Sequence, residues 1–355
     1  MIAAEFLICW LLLLISWGND MSVSHDYQTT AKSSYSLNGI RIAGVVACLP
    51  QQRFDNEFFV DYFSSEEILN VTKSSGVVYR HQVPQGITTA DLCTQAASHL
   101  LDRLGWHPAS LDGVVLMTQT PNQLLPATAC RIHNRLGLSK HAFAFDVNLG
   151  CSAYPYGLWL AGSLMSSGAR RILLLAGDTI SCILNPHDRA TALLFGDAGS
   201  ATAIEQQGDD SWSFLLGTDG SGADALQVLP GGFLSMDGSR VFEFTLTEVP
   251  QLVQSIDLLH GKGHDHYLLH QANHLILQHI RRKCGINSEK FPINIDRFGN
   301  TSSATLPLLL TSNLRDELIV NRRQLALVGY GVGFSWAAAS LPVGPIAVAD
   351  LIELN

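Results

Sequence analysis

Apolar positions fall along the chain in two alternating rhythms. Short unbroken apolar runs read as buried parallel strands, and stretches with an apolar residue every three or four positions read as helices between them. Residues 39–50 (GIRIAGVVACLP) read as a strand closed by Pro50, and 64–71 as a helix followed by a loop around Lys73 to Gly76. Residues 89–104 (TADLCTQAASHLLDRL) read as an amphipathic helix behind a Thr cap, with Asp91 in its first turn. A strand (LDGVVLMTQT), a helix over 127–136, a strand ending before Cys151, a helix over 153–167, and strands over 171–177 and 202–205 complete a first βα series. A second series has helix 249–260, strand 266–270, helix 271–284, a short strand near Asn294, helix 303–316 and strand 324–329. Two such series of similar size predict a duplicated α/β fold. The expected divisions are a lead-in over 1–37, one half over 38–206 and another over 207–355.

Composition supports a large buried core. Of 355 residues, 47% are hydrophobic and 15% charged, with 30 glycines. A net charge of −9 without a long basic run argues against nucleic acid and against stable membrane association. The seven cysteines form no CxxC pair and are odd in number, so neither a disulfide framework nor a zinc site is expected. His264, His266, His270 and His274 lack a nearby acidic or thiol ligand at suitable spacing, and no metal is expected. A reducing, cytoplasmic setting fits best. Residues 6–17 (FLICWLLLLISW) have the length of a signal core but no preceding Lys or Arg. Met21 is therefore read as the natural start, with a membrane anchor or signal as the alternative if that run is translated.

Chemistry concentrates at three junctions. DVNLGCSAYPYG places Cys151 at a strand-to-helix turn, where a helix N-terminus favours thiolate over thiol. HYLLHQAN places His270 at a strand end, and DRFGNTSSATLPLLL places Asn300 in a Gly-containing turn before a helix. Ligand chemistry in such folds gathers at the carboxyl ends of parallel strands. A thiolate can hold an acyl group, while His and Asn can both donate to a carbonyl oxygen that becomes an enolate. That division of labour needs no metal and no redox cofactor.

From about Gly39 to Pro342 the chain resembles the β-ketoacyl-acyl carrier protein synthases III of the thiolase superfamily. The likeness rests on DLCTQAASHLL, TQTPNQLLPATAC, DVNLGCSAYPYGL, LLFGDAGSATAI, GTDGSGADAL, HQAN, GNTSSATLPLLL and GYGVGFSW. The resemblance implies a thiolase-like fold with layered αβαβα architecture, a homodimer, and acyl carrier protein as partner. It also implies phosphopantetheine thioesters as substrates, with no bound cofactor. Carried over by motif, Cys151 is the nucleophile and His270 and Asn300 polarise the malonyl thioester. The backbone of Cys151 and of the turn at Val332 and Gly333 forms the oxyanion hole. Asp197 of FGDAG is expected to be structural, and Leu125 to enter the partner's acyl tunnel. Arg281, Arg282 and Lys283 are candidates for meeting the carrier protein or the pantetheine phosphate.

Departures from the family pattern bear on the primer. A Trp and an Arg that clamp the CoA adenine in acetyl-CoA-primed members are replaced by Asn70 and Ser74, and an Arg after HQAN by Leu275. These replacements suggest a carrier-bound or unusual acyl donor, as in specialised pathways. Two rival readings keep the fold: transfer of the acyl group to oxygen or nitrogen without decarboxylation, and a non-catalytic subunit of a heterodimer.

Overall fold

A computed structural model describes residues 34–354. The apolar run, the Met21 start and most of the expected lead-in lie outside the described residues. The described chain is one compact unit. Residues 34–37, expected to belong to the lead-in, already pair with a neighbouring strand.

The strands are β1 (Ser34–Leu49), β2 (Arg53–Asp55), β3 (Tyr79–His81), β4 (Gly113–Met117), β5 (Phe143–Val147), β6 (Arg171–Asp178) and β7 (Ala198–Thr218). They continue with β8 (Leu226–Val228), β9 (Leu234–Met236), β10 (His266–Leu269), β11 (Arg323–Gly331), β12 (Ser335–Val343) and β13 (Val348–Glu353). The helices are α1 (Ser65–Ser75), α2 (Thr89–Leu104), α3 (Thr128–Arg135), α4 (Ala153–Ser166) and α5 (Arg189–Ala192). After them come α6 (Gly238–His260), α7 (His274–Lys283), α8 (Ile295–Phe298), α9 (Thr305–Ser312) and α10 (Arg315–Val320).

Nine strands share one hydrogen-bonded sheet with two wings. The long antiparallel ribbon of β1 and β7 joins them. The first part of β7 pairs with β6, and its last part pairs with β12. In one wing β5, β4 and β6 run parallel; in the other β10 and β11 do. The division expected at 206/207 falls inside β7.

Strand alternation builds the layers. Ile172, Leu174 and Ala176 of β6 face one core, while Leu173 and Leu175 face another. The first core also holds Leu325 and Leu327 from the other wing, with Tyr154, Leu158 and Met165 of α4 and Leu306, Leu309 and Leu310 of α9. The two helices are therefore sandwiched between the wings, which is why they are apolar all round. On the outer faces, α2 and α3 cover one wing, and α6 and α7 cover the other. The order is αβαβα, as a thiolase-like fold requires. Truncating a side chain such as Leu158 to Ala in the central layer should cost about 2–5 kcal/mol.

Several expected elements differ. Asn294 does not lie in a strand; it precedes the short helix α8. Helix 249–260 starts at Gly238, because Asp237 caps the N–H groups of Ser239 and Arg240. The helix expected from Gln271 starts at His274 because Asn273 accepts from Leu275 and Ile276. The helix expected over 303–316 is split into α9 and α10. The alanine- and serine-rich β12 and the C-terminal β13 are additions that propensity did not suggest.

Candidate active site

Cys151 follows β5 in a tight turn, where the Ala153 N–H donates to Gly150 O at 2.8 Å. β11 presses directly on this turn. A Cβ on Gly329 would lie 2.9 Å from Cys151 O, and one on Gly331 would lie 2.5 Å from Cys151 Cβ and 2.9 Å from Sγ. Only glycine permits this approach. The Ser335 hydroxyl donates to Val332 O at 2.8 Å and accepts from Ser152 Oγ at 2.6 Å, so the Val332–Gly333 turn is tied to the nucleophile turn. The Val332 backbone N–H, the Ser302 hydroxyl and the Cys151 backbone N–H favour negative charge on the sulfur.

These donors do not make the free thiol acidic. Burial, and then the charge of Asp178, push the Cys151 thiol up to about 12. Desolvation thus opposes the activation expected from the α4 N-terminus. Cys151 precedes the Ser152 cap, one residue outside the helix.

His270 follows β10. Its backbone N–H donates to Val328 O at 2.8 Å, and Tyr330 Oη donates to its carbonyl at 3.1 Å. The Tyr330 ring stands edge-on to the imidazole at 5.5 Å. Burial pushes His270 down to about 3, so the imidazole is neutral. Thr305 Oγ1 lies 2.8 Å from Nδ1 and donates to Ser302 O at 3.1 Å. With its hydrogen so spent, Thr305 accepts from Nδ1–H, and Nε2 is an acceptor. The sequence reading had His270 as a donor; that role requires the Thr305 hydroxyl to turn towards Nδ1.

Asn300 sits in a loop after α8. Its backbone bridges Phe195: Asn300 N–H donates to Leu194 O, and Gly196 N–H donates to Asn300 O, each at 3.0 Å. Ser302 N–H donates to Asn300 Oδ1 at 2.9 Å, which leaves the amide Nδ2 as the free donor. Cys151, His270 and Asn300 line one cavity of about 150 Å³, with Phe195, Phe242, Ile276 and Gly331 among its walls.

Sequence reasoning missed the buried carboxylate beneath the thiol. Asp178 accepts from Gln119 N–H at 2.7 Å, Ser303 Oγ at 2.7 Å, Ser303 N–H, Thr118 and Thr120. Its pKa is raised, chiefly by burial. An Asp closing the apolar run RRILLLAGD was the available signal. Asp197 is likewise buried, pushed up to about 6 by desolvation, and held by Ser181 and the Val83 N–H. It braces the loops beneath the cavity and does not line it.

Other expected residues lie elsewhere. Arg281 donates to Gln278 and Ile286 O, Arg282 to Gln278 O, and Lys283 to Leu246 O. They end α7, whose other end adjoins the cavity through Asn273. Arg282 lies nine positions beyond Asn273, about 13 Å at the helical rise. Leu125 is 85% exposed and outside the cavity lining. Asn70 and Ser74 lie on α1, and Gly76, which ends α1, abuts His274 at the start of α7. The four histidines do not converge: His264 bonds to Asp257 and Ser340, and His266 to Glu317. Among the described residues no cluster of three or more His, Cys, Asp or Glu is placed to hold a metal. No described helix is long and apolar enough to cross a membrane.

A buried thiol, a neutral imidazole and a free carboxamide donor around one apolar cavity, on this layered fold, define a thiolase-like acyl-transfer enzyme. The comparisons narrow the class. The family model for 3-oxoacyl-[acyl-carrier-protein (ACP)] synthase III matches residues 145–220, and that for the C terminal of the same synthase matches 259–343. The β-ketoacyl-[acyl-carrier-protein] synthase III of Streptococcus agalactiae is 33% identical over 287 residues, covering 76% of this chain and 88% of that protein. The enzyme of the same name from Clostridium tetani is 32% identical over 297 residues, covering 76% and 89%. A solved 3-oxoacyl-(acyl-carrier protein) synthase from Burkholderia xenovorans LB400 superposes with TM-score 0.89 at 43% identity, covering 91% of this chain and 99% of that one. The synthase III of Pseudomonas aeruginosa PAO1 gives 0.80 at 31%, covering 87% and 99%. The chain belongs to the β-ketoacyl-acyl carrier protein synthase III family.

Proposed function

We propose that the chain condenses an acyl group held on Cys151 with malonyl-acyl carrier protein, releasing carbon dioxide and a β-ketoacyl thioester. The observation that carries this is the single cavity shared by Cys151, His270 and Asn300. In the first half-reaction the Cys151 sulfur attacks the donor thioester, and the displaced pantetheine sulfur takes up a proton. No net proton is lost. Because the thiol rests protonated, its proton leaves as the C–S bond forms, and the His270 Nε2 lone pair is the nearby acceptor. The Cys151 and Val332 N–H groups receive the oxyanion.

In the second half-reaction the malonyl carboxylate leaves as carbon dioxide, and its electron pair forms an enolate. The Asn300 amide donates to that oxygen, and His270 joins it as the other neutral tautomer, in which Nδ1 has released its proton to solvent, Nε2 has taken one up and the Thr305 hydroxyl donates to Nδ1. The enolate carbon attacks the acyl-Cys151 carbonyl, and the expelled sulfur takes up one proton from solvent, the proton that the decarboxylative step consumes overall. Thr305 is thereby a positioning residue for both tautomers.

The finer assignments rest on the sequence and the surface. Substrates arrive as phosphopantetheine thioesters, with no bound cofactor. Asn70 and Ser74 offer no stacking or charged grip for adenine, which favours a carrier-bound donor of a specialised pathway. Arg282 and Lys283 are exposed on the helix that begins at the cavity and suit an acidic carrier protein. Leu125, exposed in the single chain, suits a homodimer contact reaching the partner's cavity. A cytoplasmic location accords with these substrates.

Incubation with acyl-carrier and malonyl-carrier thioesters tests the reading. Acyl-Cys151, carbon dioxide and β-ketoacyl product are expected together. Acylation without carbon dioxide favours transfer to another acceptor, and no acylation favours a partner subunit.

A further inference from the structure

A second cavity of about 250 Å³ has Val332 in its wall. Leu226 lines both cavities, so the two share a wall. Ile180 and Leu234 make part of the second wall apolar, but Gln119, Asn148 and Gln227 make the rest of it polar. Gln227 Nε2 is spent on Asp224 O at 3.2 Å. Gln119 gives its backbone N–H to Asp178, while its carboxamide, like that of Asn148, has no hydrogen-bond partner among the described residues.

The Gln119 carboxamide is placed there by a glycine. A Cβ on Gly150 would lie 2.1 Å from Gln119 Oε1 and 2.8 Å from its Cδ. The residue before the nucleophile thus gives up its side chain where this carboxamide stands. An amide lodged against the residue before an acyl-bearing cysteine offers both a donor and an acceptor to whatever enters. Left unpaired against an alkyl chain, it loses its water for nothing.

We infer that Gln119, assisted by Asn148, selects an acyl group that carries a hydroxyl or carbonyl oxygen a few carbons from its thioester. This rests on the reading of Cys151 as the acyl carrier. An isosteric alkyl group fills the same space but leaves the carboxamide unpaired, and sites built to hydrogen-bond a substrate reject such analogues strongly.

The test compares 3-hydroxybutyryl with 3-methylbutyryl, in which a methyl replaces the hydroxyl. Each is offered on acyl carrier protein and on pantetheine, and Cys151 loading is followed by intact mass. The wild-type protein is expected to load the hydroxyacyl group at least about tenfold faster. Gln119→Met, similar in length and apolar, is expected to lower that ratio about tenfold or more. Gly150→Ala, whose Cβ displaces the carboxamide and also meets Ser302 Oγ at 2.9 Å, is expected to shift the ratio the same way, read as a ratio so that a general loss of loading cancels. Equal loading by the wild type, preference for 3-methylbutyryl, or an unchanged ratio in both variants overturns the inference and leaves the reading of Cys151 intact. Failure of every donor to load Cys151 removes that reading and the inference together.

Discussion

Alkylation of Cys151 by iodoacetamide should climb steeply with pH across the range where activated thiols are already saturated. Burial and Asp178 move the thiol from 9 to about 12. Each unit is a factor of ten in thiolate, so at pH 8 about one molecule in ten thousand is ionised, against about one in ten for an ordinary thiol. That is about a thousandfold deficit. The rate should rise tenfold per pH unit from 7 to 10, measured on the Cys151 peptide with the exposed Cys130 as internal reference. The slope is the decisive quantity, since restricted access lowers the rate at every pH alike. Asp178→Asn, which removes the second-named cause, should shift the profile to lower pH. A plateau beginning below pH 8 would mean that the α4 terminus, not burial, governs the thiol, and would refute the reasoning.

Other expectations follow from the same geometry. Gly331→Ala drives a Cβ to 2.5 Å from Cys151 Cβ; it should cost about 1–3 kcal/mol in denaturant unfolding and lower acylation about a hundredfold. His270, buried neutral with its pKa lowered from 6.5 to about 3, binds a proton less readily folded than unfolded. Its contribution to stability is complete above pH 6.5 and lost as pH falls towards 3, up to about 5 kcal/mol, so His270→Gln should flatten the acid limb of a stability profile. Thr305→Val removes the hydroxyl that sets the His270 tautomer. Condensation should fall about tenfold or more beyond any fall in acyl loading, with a shifted pH profile; equal losses in both steps would make Thr305 merely structural.

Much of this fold is legible in the chain because buried elements leave strong patterns. The run RILLLAG of β6 is apolar on both faces since helices cover both. The three junction residues were legible because each closes or opens such a pattern, and the cavity does bring them together. What was not legible depends on partners distant in sequence. β12 reads as small residues and becomes a strand only between β11 and β7. Asn294 looked strand-like beside Ile293 and Ile295 but opens a helical turn. The electrostatics of Cys151 could not be read from its position before α4, because the buried Asp178 lies 27 residues further on. The Gln119–Gly150 fit is likewise a contact between strand ends.

The central claim is most directly tested by a single turnover. Cys151 is first loaded with an acyl group from acyl carrier protein, excess donor is removed, and malonyl-acyl carrier protein is added while intact mass and carbon dioxide are followed. The account predicts that the Cys151 adduct disappears and carbon dioxide and β-ketoacyl product appear at one rate and in equal amounts. Loss of the adduct without carbon dioxide, or carbon dioxide release with the adduct still in place, would contradict it.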